Sequence, residues 1–321
     1  MEYNSKYPGS FGEVLQGNFK GKDILVSFPI NLYTNVKIFK NDLKNQNVRV
    51  NNLNINNTIE TNNIRIFRKN FKNNKFKILN KTEGKIYSNI KYRNNFKASM
   101  FMKKILENWG YSDFYKKFHI EIKSQIPKGK GLASSTADIC ATYKVLTKIF
   151  NKPYLEEELT KFSLEIEPTD SIIFDKFNIF DYKYGKYKEE IGEYIKFYIL
   201  AFEGNRIINT VNFNKKNLPS MEKVDDLVPI LKEGILKKDI DRISYVSTES
   251  IIRNLHRVTY SYLDFVIDYK NRTYGSGIIG AHSGNALGII YKDKETLNKA
   301  LKGYKPYGDL RVYPLESVTF K

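Results

Sequence analysis

Residues 126 to 138 read Ile-Pro-Lys-Gly-Lys-Gly-Leu-Ala-Ser-Ser-Thr-Ala-Asp, with two glycines one residue apart and then a serine pair. Glycines so placed let the backbone adopt conformations closed to residues with a Cβ. They also leave N–H groups bare enough to face a ligand. Serine is a strong N-cap residue, and the first turn of a helix offers unpaired N–H groups and a partial positive charge. Such a loop suits a phosphate chain, and Lys128 and Lys130 add charge nearby. It is not a Walker loop, because no G-x-x-x-x-G-K-[ST] can be laid over it, and the third glycine of the dinucleotide fingerprint is missing. Taken alone, the two glycines are as readily an ordinary turn with a serine cap.

Three other stretches carry residue types that could join this chemistry. Glu165-Ile166-Glu167-Pro168-Thr169-Asp170-Ser171 follows a helical pattern, and the proline forces an extended exit that fixes the Thr-Asp-Ser loop. Asp170 there is a turn or capping residue, or an acid able to accept or orient a hydroxyl proton. Near the start, Tyr7 to Gly17 holds one proline, three glycines, Ser10, Glu13 and Gln16 among apolar residues, and reads as a strand broken by turns. Late in the chain, Gly275 to Tyr291 sets small residues, His282, Ser283, Gly284 and Asn285 between two apolar strands. This is a hairpin whose tip another backbone or a ligand approaches closely.

In this order the stretches resemble the three motifs of the GHMP small-molecule kinases, whose second motif is usually P-x-x-x-G-L-G-S-S-A. Ala133 stands here for the usual glycine and Thr136 for the usual alanine. The form G-L-A-S-S-T-A-D, the opening P-G-S-F-G-E-V-L-Q-G and the loop E-P-T-D-S are most similar to the L-threonine kinases of cobalamin biosynthesis. The third motif keeps Ser283 and Gly284, but its next glycine is Asn285.

The resemblance implies an α+β GHMP kinase fold. A ribosomal S5 domain 2-like N-terminal half, 1–175, would carry the ATP phosphate loop, and a C-terminal α+β half, 176–321, would close the site. It implies ATP and Mg²⁺ and the conversion of L-threonine to O-phospho-L-threonine. Pro127, Lys128, Gly129, Lys130, Gly131, Leu132, Ala133, Ser134 and Ser135 would cradle the phosphates, with Ser135 and Glu167 at the metal and Asp170 as base. Ser10, Glu13, Gln16, Ser283 and Gly284 would hold the acceptor, Glu13 by pairing with an amino group. Another small hydroxylated acceptor such as homoserine is the alternative, although homoserine kinases generally lack the catalytic aspartate.

The elements that must position these residues are legible from periodicity. Phe118, Ile120, Ile122 and Ile126 mark a strand feeding the glycine loop, and Ile139, Tyr143, Leu146 and Phe150 mark one face of the helix after it. Asp138 on that helix is a first-turn acid favoured by the dipole, or an acid near the metal. Phe96, Met100, Phe101, Ile105 and Trp109 predict an amphipathic helix stopped by Gly110. Residues 24 to 39 alternate as strands with a break at Pro29, and Asn41 to Asn80 reads as short strands in a long solvated excursion. Helical spacing returns from Met221 to Tyr269, and a last helix and strand follow.

Composition sets the outer bounds. At 321 residues with 41% hydrophobic and 14% aromatic content, the chain is far too apolar for disorder and long enough for one large or two smaller domains. No apolar run approaches a membrane span and no signal-peptide centre opens the chain, so the cytoplasm is the expected location. A single cysteine, Cys140, excludes an internal disulfide and a cysteine-rich metal cluster. The formal charge of +18 raises a basic RNA-binding S5-like protein as the reading from a different class. The lysines are spread along the whole chain rather than gathered on one stripe, which argues against specific nucleic-acid binding.

Overall fold

A computed structural model describes residues 2–40, 90–92, 96–205, 218–282 and 284–320. The excursion read over 41–80 and the candidate Ser283 lie outside the described residues.

The first sheet holds β1 (Glu2–Ser10), β4 (Pro29–Lys40), β6 (Phe118–Ser124) and β5 (Ile90–Tyr92), antiparallel throughout in the order β1-β4-β6-β5. Its alternating residues dictate it: Val36, Ile38, Ile120 and Ile122 are buried, while Lys37 and Lys123 on the other face are not. Helices α1 (Phe96–Asn108) and α2 (Ser134–Ile149) pack on one another, and α2 lies against β1 and β4. Of the stripe expected on α1, Phe101 and Ile105 turn inward, joined by Met102 and Leu106, each contributing about 2 kcal/mol by its removal from water, whereas Phe96 is exposed. A shorter helix, α3 (Glu156–Leu164), leads to the Glu167–Asp170 loop.

The second sheet runs β2-β3-β7-β8, from β2 (Leu15–Phe19), β3 (Lys22–Val26), β7 (Phe177–Phe180) and β8 (Lys188–Gly192). Strands on both sides of residue 175 therefore share one sheet, through the pairing of Leu25 with Phe180. Pro29 opens β4 opposite Ser10, where a missing N–H costs no ladder bond, so the expected break falls there.

The third sheet runs β10-β11-β9-β12, from β9 (Tyr198–Glu203), β10 (Gly277–Gly280), β11 (Ala286–Tyr291) and β12 (Arg311–Glu316). Helix α4 (Leu227–Lys237) packs on α5 (Ile240–Arg253), and α5, α6 (Leu263–Arg272) and α7 (Lys294–Gly303) cover this sheet. Periodicity overstated the start of α4: Met221 to Asp226 is turn and bridge, and the helix begins at Leu227.

One apolar cluster joins Phe11, Phe28, Ile139 and Phe174 of the first part to Phe197, Ile279 and Leu315 of the last. No helix among the described residues is long and apolar enough to cross a membrane.

Candidate active site

The glycine loop, 125–133, leaves β6 and enters α2. Its root is tied to β4, where the Gln125 N–H donates to the Tyr33 carbonyl and its Oε1 accepts from the Tyr33 N–H. Its far end is tied to β1, where the Ser10 N–H donates to the Leu132 carbonyl at 3.2 Å. Gly129, Gly131 and Ala133 all take positive φ, at 70°, 79° and 51°. The N–H groups of Gly131, Ala133, Ser134 and Ser135 meet no acceptor among the described residues. Bare N–H groups at the positive end of a 16-residue helix are an anion cradle.

The expected serine cap is not formed. Ala133 is the N-cap residue, in the left-handed region and without a side-chain cap bond. The serines occupy the first helical turn, so their hydroxyls are left for other partners. The Ser135 hydroxyl donates to Glu167 Oε1, and the Lys97 ammonium on α1 donates to Glu167 Oε2. Burial lowers the Lys128 ammonium, with Lys97 acting in the same direction and Asp138 opposing both. Lys97 and Lys128 thus stand beside one edge of the loop. Lys97 carried no signal in the sequence, because it belongs to an amphipathic helix far from any motif.

Lys130 does something else. Its ammonium is buried and donates to the Gly204 carbonyl at 2.5 Å, with Glu203 Oε1 at 3.7 Å. Glu203 in turn accepts from the Tyr313 hydroxyl at 2.9 Å. The loop's second lysine therefore pins the loop to the β9–β12 edge of the third sheet. Gly284 packs on the same lysine: a Cβ there would stand 2.0 Å from the Lys130 carbonyl oxygen, so this glycine admits another backbone. Asp138 is buried and accepts from the Thr34 hydroxyl at 2.6 Å; it lies beyond the first turn of α2, so its role is packing against β4 rather than the expected dipole pairing.

Asp170 sits where loop and opening motif meet. Its N–H donates to Thr136 Oγ1 at 3.3 Å in the first turn of α2, and Oδ1 accepts the Ile172 N–H at 3.0 Å. Oδ2 accepts from the Ser10 hydroxyl at 3.3 Å. Burial, and then the charge of nearby Glu13, push its carboxyl up to about 7, against the lowering effect of the Ile172 bond. A carboxylate of that basicity can exchange a proton with a hydroxyl near neutral pH.

Glu13 is buried, and its Oε2 accepts both the backbone N–H of His282 at 3.0 Å and His282 Nδ1 at 3.1 Å. Gln16 is buried, and its backbone N–H and carbonyl are bonded to the Ser250 hydroxyl. Ser10, Glu13, Gln16 and Asp170 thus form one polar cluster beside the glycine loop. Its anionic groups are Glu13 and Asp170, whereas the loop edge is cationic.

Ser135 and Glu167 offer a hydroxyl and a carboxylate oxygen, donors that suit a hard divalent cation. Among the described residues no group of three or more His, Cys, Asp or Glu comes together. A Mg²⁺ ion here would take its remaining ligands from phosphate oxygens and water, as that ion ordinarily does.

Residues 95–175 match the GHMP kinases N terminal domain. An L-threonine kinase of Salmonella typhimurium is 23% identical over 208 residues, 63% of this chain and 69% of that one. A mevalonate kinase of Methanocaldococcus jannaschii is 24% identical over 212 residues, 58% of this chain and 66% of that one. The crystal structure of a homoserine kinase from Cytophaga hutchinsonii superposes with a TM-score of 0.63 at 14% identity, covering 99% of this chain and 95% of that one. Residues 95–175, around the glycine loop, thus form a GHMP kinase N-terminal domain, and the chain as a whole has the fold of that homoserine kinase.

Proposed function

We propose that this protein is a GHMP kinase that phosphorylates the hydroxyl of L-threonine with ATP, giving O-phospho-L-threonine and ADP for the aminopropanol linker of cobalamin. The observation that carries the reading is the position of Asp170, bonded to Thr136 at the mouth of the phosphate-loop helix and to Ser10 of the opening motif. An acid at that junction would lie between the phosphates and the acceptor.

The β- and γ-phosphates would lie on the bare N–H groups of Gly131 to Ser135, with Lys97 and Lys128 at the flank. Mg²⁺, held by Ser135 and Glu167, would neutralise charge on the transferring group. Asp170 would take the hydroxyl proton as the oxygen attacks, which its raised basicity supports. The carboxylate of Glu13 favours an acceptor bearing an ammonium group near its hydroxyl. Mevalonate, which carries a carboxylate and no amine, would meet repulsion there. The likeness of the motifs to L-threonine kinases then favours threonine among hydroxylated amino acids.

ADP release measured over L-threonine, L-serine, L-homoserine and mevalonate tests the reading. It expects the highest kcat/KM with L-threonine. A higher value for any of the others overturns it.

A further inference from the structure

His282 comes from the turn between β10 and β11, 269 residues after Glu13, yet it provides both of the hydrogen bonds made to that carboxylate among the described residues. Its backbone N–H and Nδ1 converge on the same oxygen, Oε2, at 3.0 and 3.1 Å. The other oxygen, Oε1, takes no hydrogen bond among the described residues. Glu13 keeps 6% of its surface open.

The imidazole is fixed from its other side. Nε2 lies 3.2 Å from the Ser250 hydroxyl and 3.3 Å from the Ser250 carbonyl on α5. Ser250 is in turn bonded to the backbone of Gln16 through its own hydroxyl, and Asn254 donates to the Gln16 carbonyl at 3.1 Å. The ring is 8% exposed, so nothing about its rotamer is left to solvent. Ser250, His282 and Glu13 therefore form a buried relay in which each side chain orients the next, ending at one open carboxylate oxygen.

Purely structural pairing would be expected to occupy both oxygens of a buried carboxylate, because an unpaired buried charge is costly. Among the described residues, two donors on Oε2 and none on Oε1 is the pattern of an acid presented to a ligand cation. A carboxylate held by two charge-assisted bonds also loses little freedom when a ligand arrives, which improves binding by pre-organisation.

We infer that His282 is a specificity-determining positioning residue, which holds Glu13 so that Oε1 receives the ammonium of an amino-alcohol acceptor. This rests on the amino-acid acceptor proposed above and adds the residue that sets selection for the amine. His282 itself touches neither the hydroxyl nor the phosphates.

The test is steady-state kinetics of the full-length enzyme with ATP, using L-threonine and its amine-free analogue 3-hydroxybutyrate. His282→Ala is expected to raise KM for L-threonine roughly 10-fold, the effect of losing a hydrogen bond to a charged group, with KM for ATP unchanged. Preference for L-threonine over 3-hydroxybutyrate should narrow by the same factor. His282→Asn, which can restore a donor near the Nδ1 position, should recover part of the loss. In a Glu13→Ala background, where no carboxylate remains to be held, His282→Ala should add less than about 2-fold.

Additive effects in the double variant, or an unchanged KM for L-threonine in His282→Ala, overturn the inference while leaving the threonine reading in place. If His282→Ala fails to fold, His282→Asn with and without Glu13→Ala supplies the same cycle. A wild-type enzyme that prefers 3-hydroxybutyrate overturns the threonine reading and this inference together.

Discussion

Gly131 of the glycine loop lies face to face with Gly284 of the β10–β11 turn: a Cβ on Gly131 would stand 3.2 Å from Gly284 Cα and 2.3 Å from the Ala281 Cβ. The two glycine motifs are packed against each other, and the contact closes the loop from the C-terminal side. Gly131→Ala should therefore cost roughly 2–4 kcal/mol, from overpacking and from the positive φ together. A thermal melt checks it. Ala281→Gly removes the atom that Gly131→Ala would strike, so adding it should recover part of the lost melting temperature. A double variant no more stable than the single one would contradict the contact.

Ala133 invites the opposite change. It holds φ 51° at the helix N-cap, a conformation that costs an L-residue about 1–2 kcal/mol, and glycine adopts it freely. Glycine also raises unfolded-chain entropy, at about 0.4–1 kcal/mol. Ala133→Gly should accordingly leave the melting temperature unchanged or raise it slightly, whereas Ala133→Val should lower it by several degrees.

Lys130 separates a pin from a phosphate ligand. Lys130→Met removes the partner of a buried Glu203, which should destabilise the fold by roughly 2–4 kcal/mol. Nucleotide affinity measured by titration on the folded variant should change by less than about 3-fold, since the ammonium is spent on Gly204 and Glu203. A 30-fold loss of nucleotide affinity without loss of stability would return Lys130 to the phosphates.

What the sequence made legible was local. The 3.6-residue spacing of Phe101 and Ile105 and the alternation around Ile120 depend only on neighbours along the chain, and both appear in the fold. The glycine loop and the acid after Pro168 were likewise readable as short patterns. The partners were not. Glu13 meets His282 across 269 residues and Lys97 meets Glu167 across 70, and neither spacing has a period to reveal it. The serine cap failed for a physical reason: Ala133 took the left-handed cap position, one residue earlier than serine preference alone suggested.

Asp170 predicts a pH dependence of stability. Its carboxyl is raised from 3.8 to about 7 in the folded protein, so between those values the folded state binds a proton that the unfolded chain does not. Stability from this group is full below about pH 4 and is lost as pH rises through about 7. Asp170→Asn, which keeps an acceptor for the Ile172 N–H, should melt higher than wild type at pH 8, and the advantage should shrink at pH 5. The expected gain is a few kcal/mol at most, since three pKa units correspond to about 4 kcal/mol. An advantage that grows on acidification would contradict the raised carboxyl.

The most direct measurement is O-phospho-L-threonine formed from ATP, Mg²⁺ and L-threonine by the wild type and by Asp170→Asn, read by mass spectrometry, with nucleotide affinity titrated on both. The account predicts product from the wild type, a kcat lower by about 10² to 10⁴-fold in Asp170→Asn, and nucleotide affinity little changed. Wild-type turnover by Asp170→Asn would contradict the base, and the absence of phosphothreonine from the wild type would contradict the reaction itself.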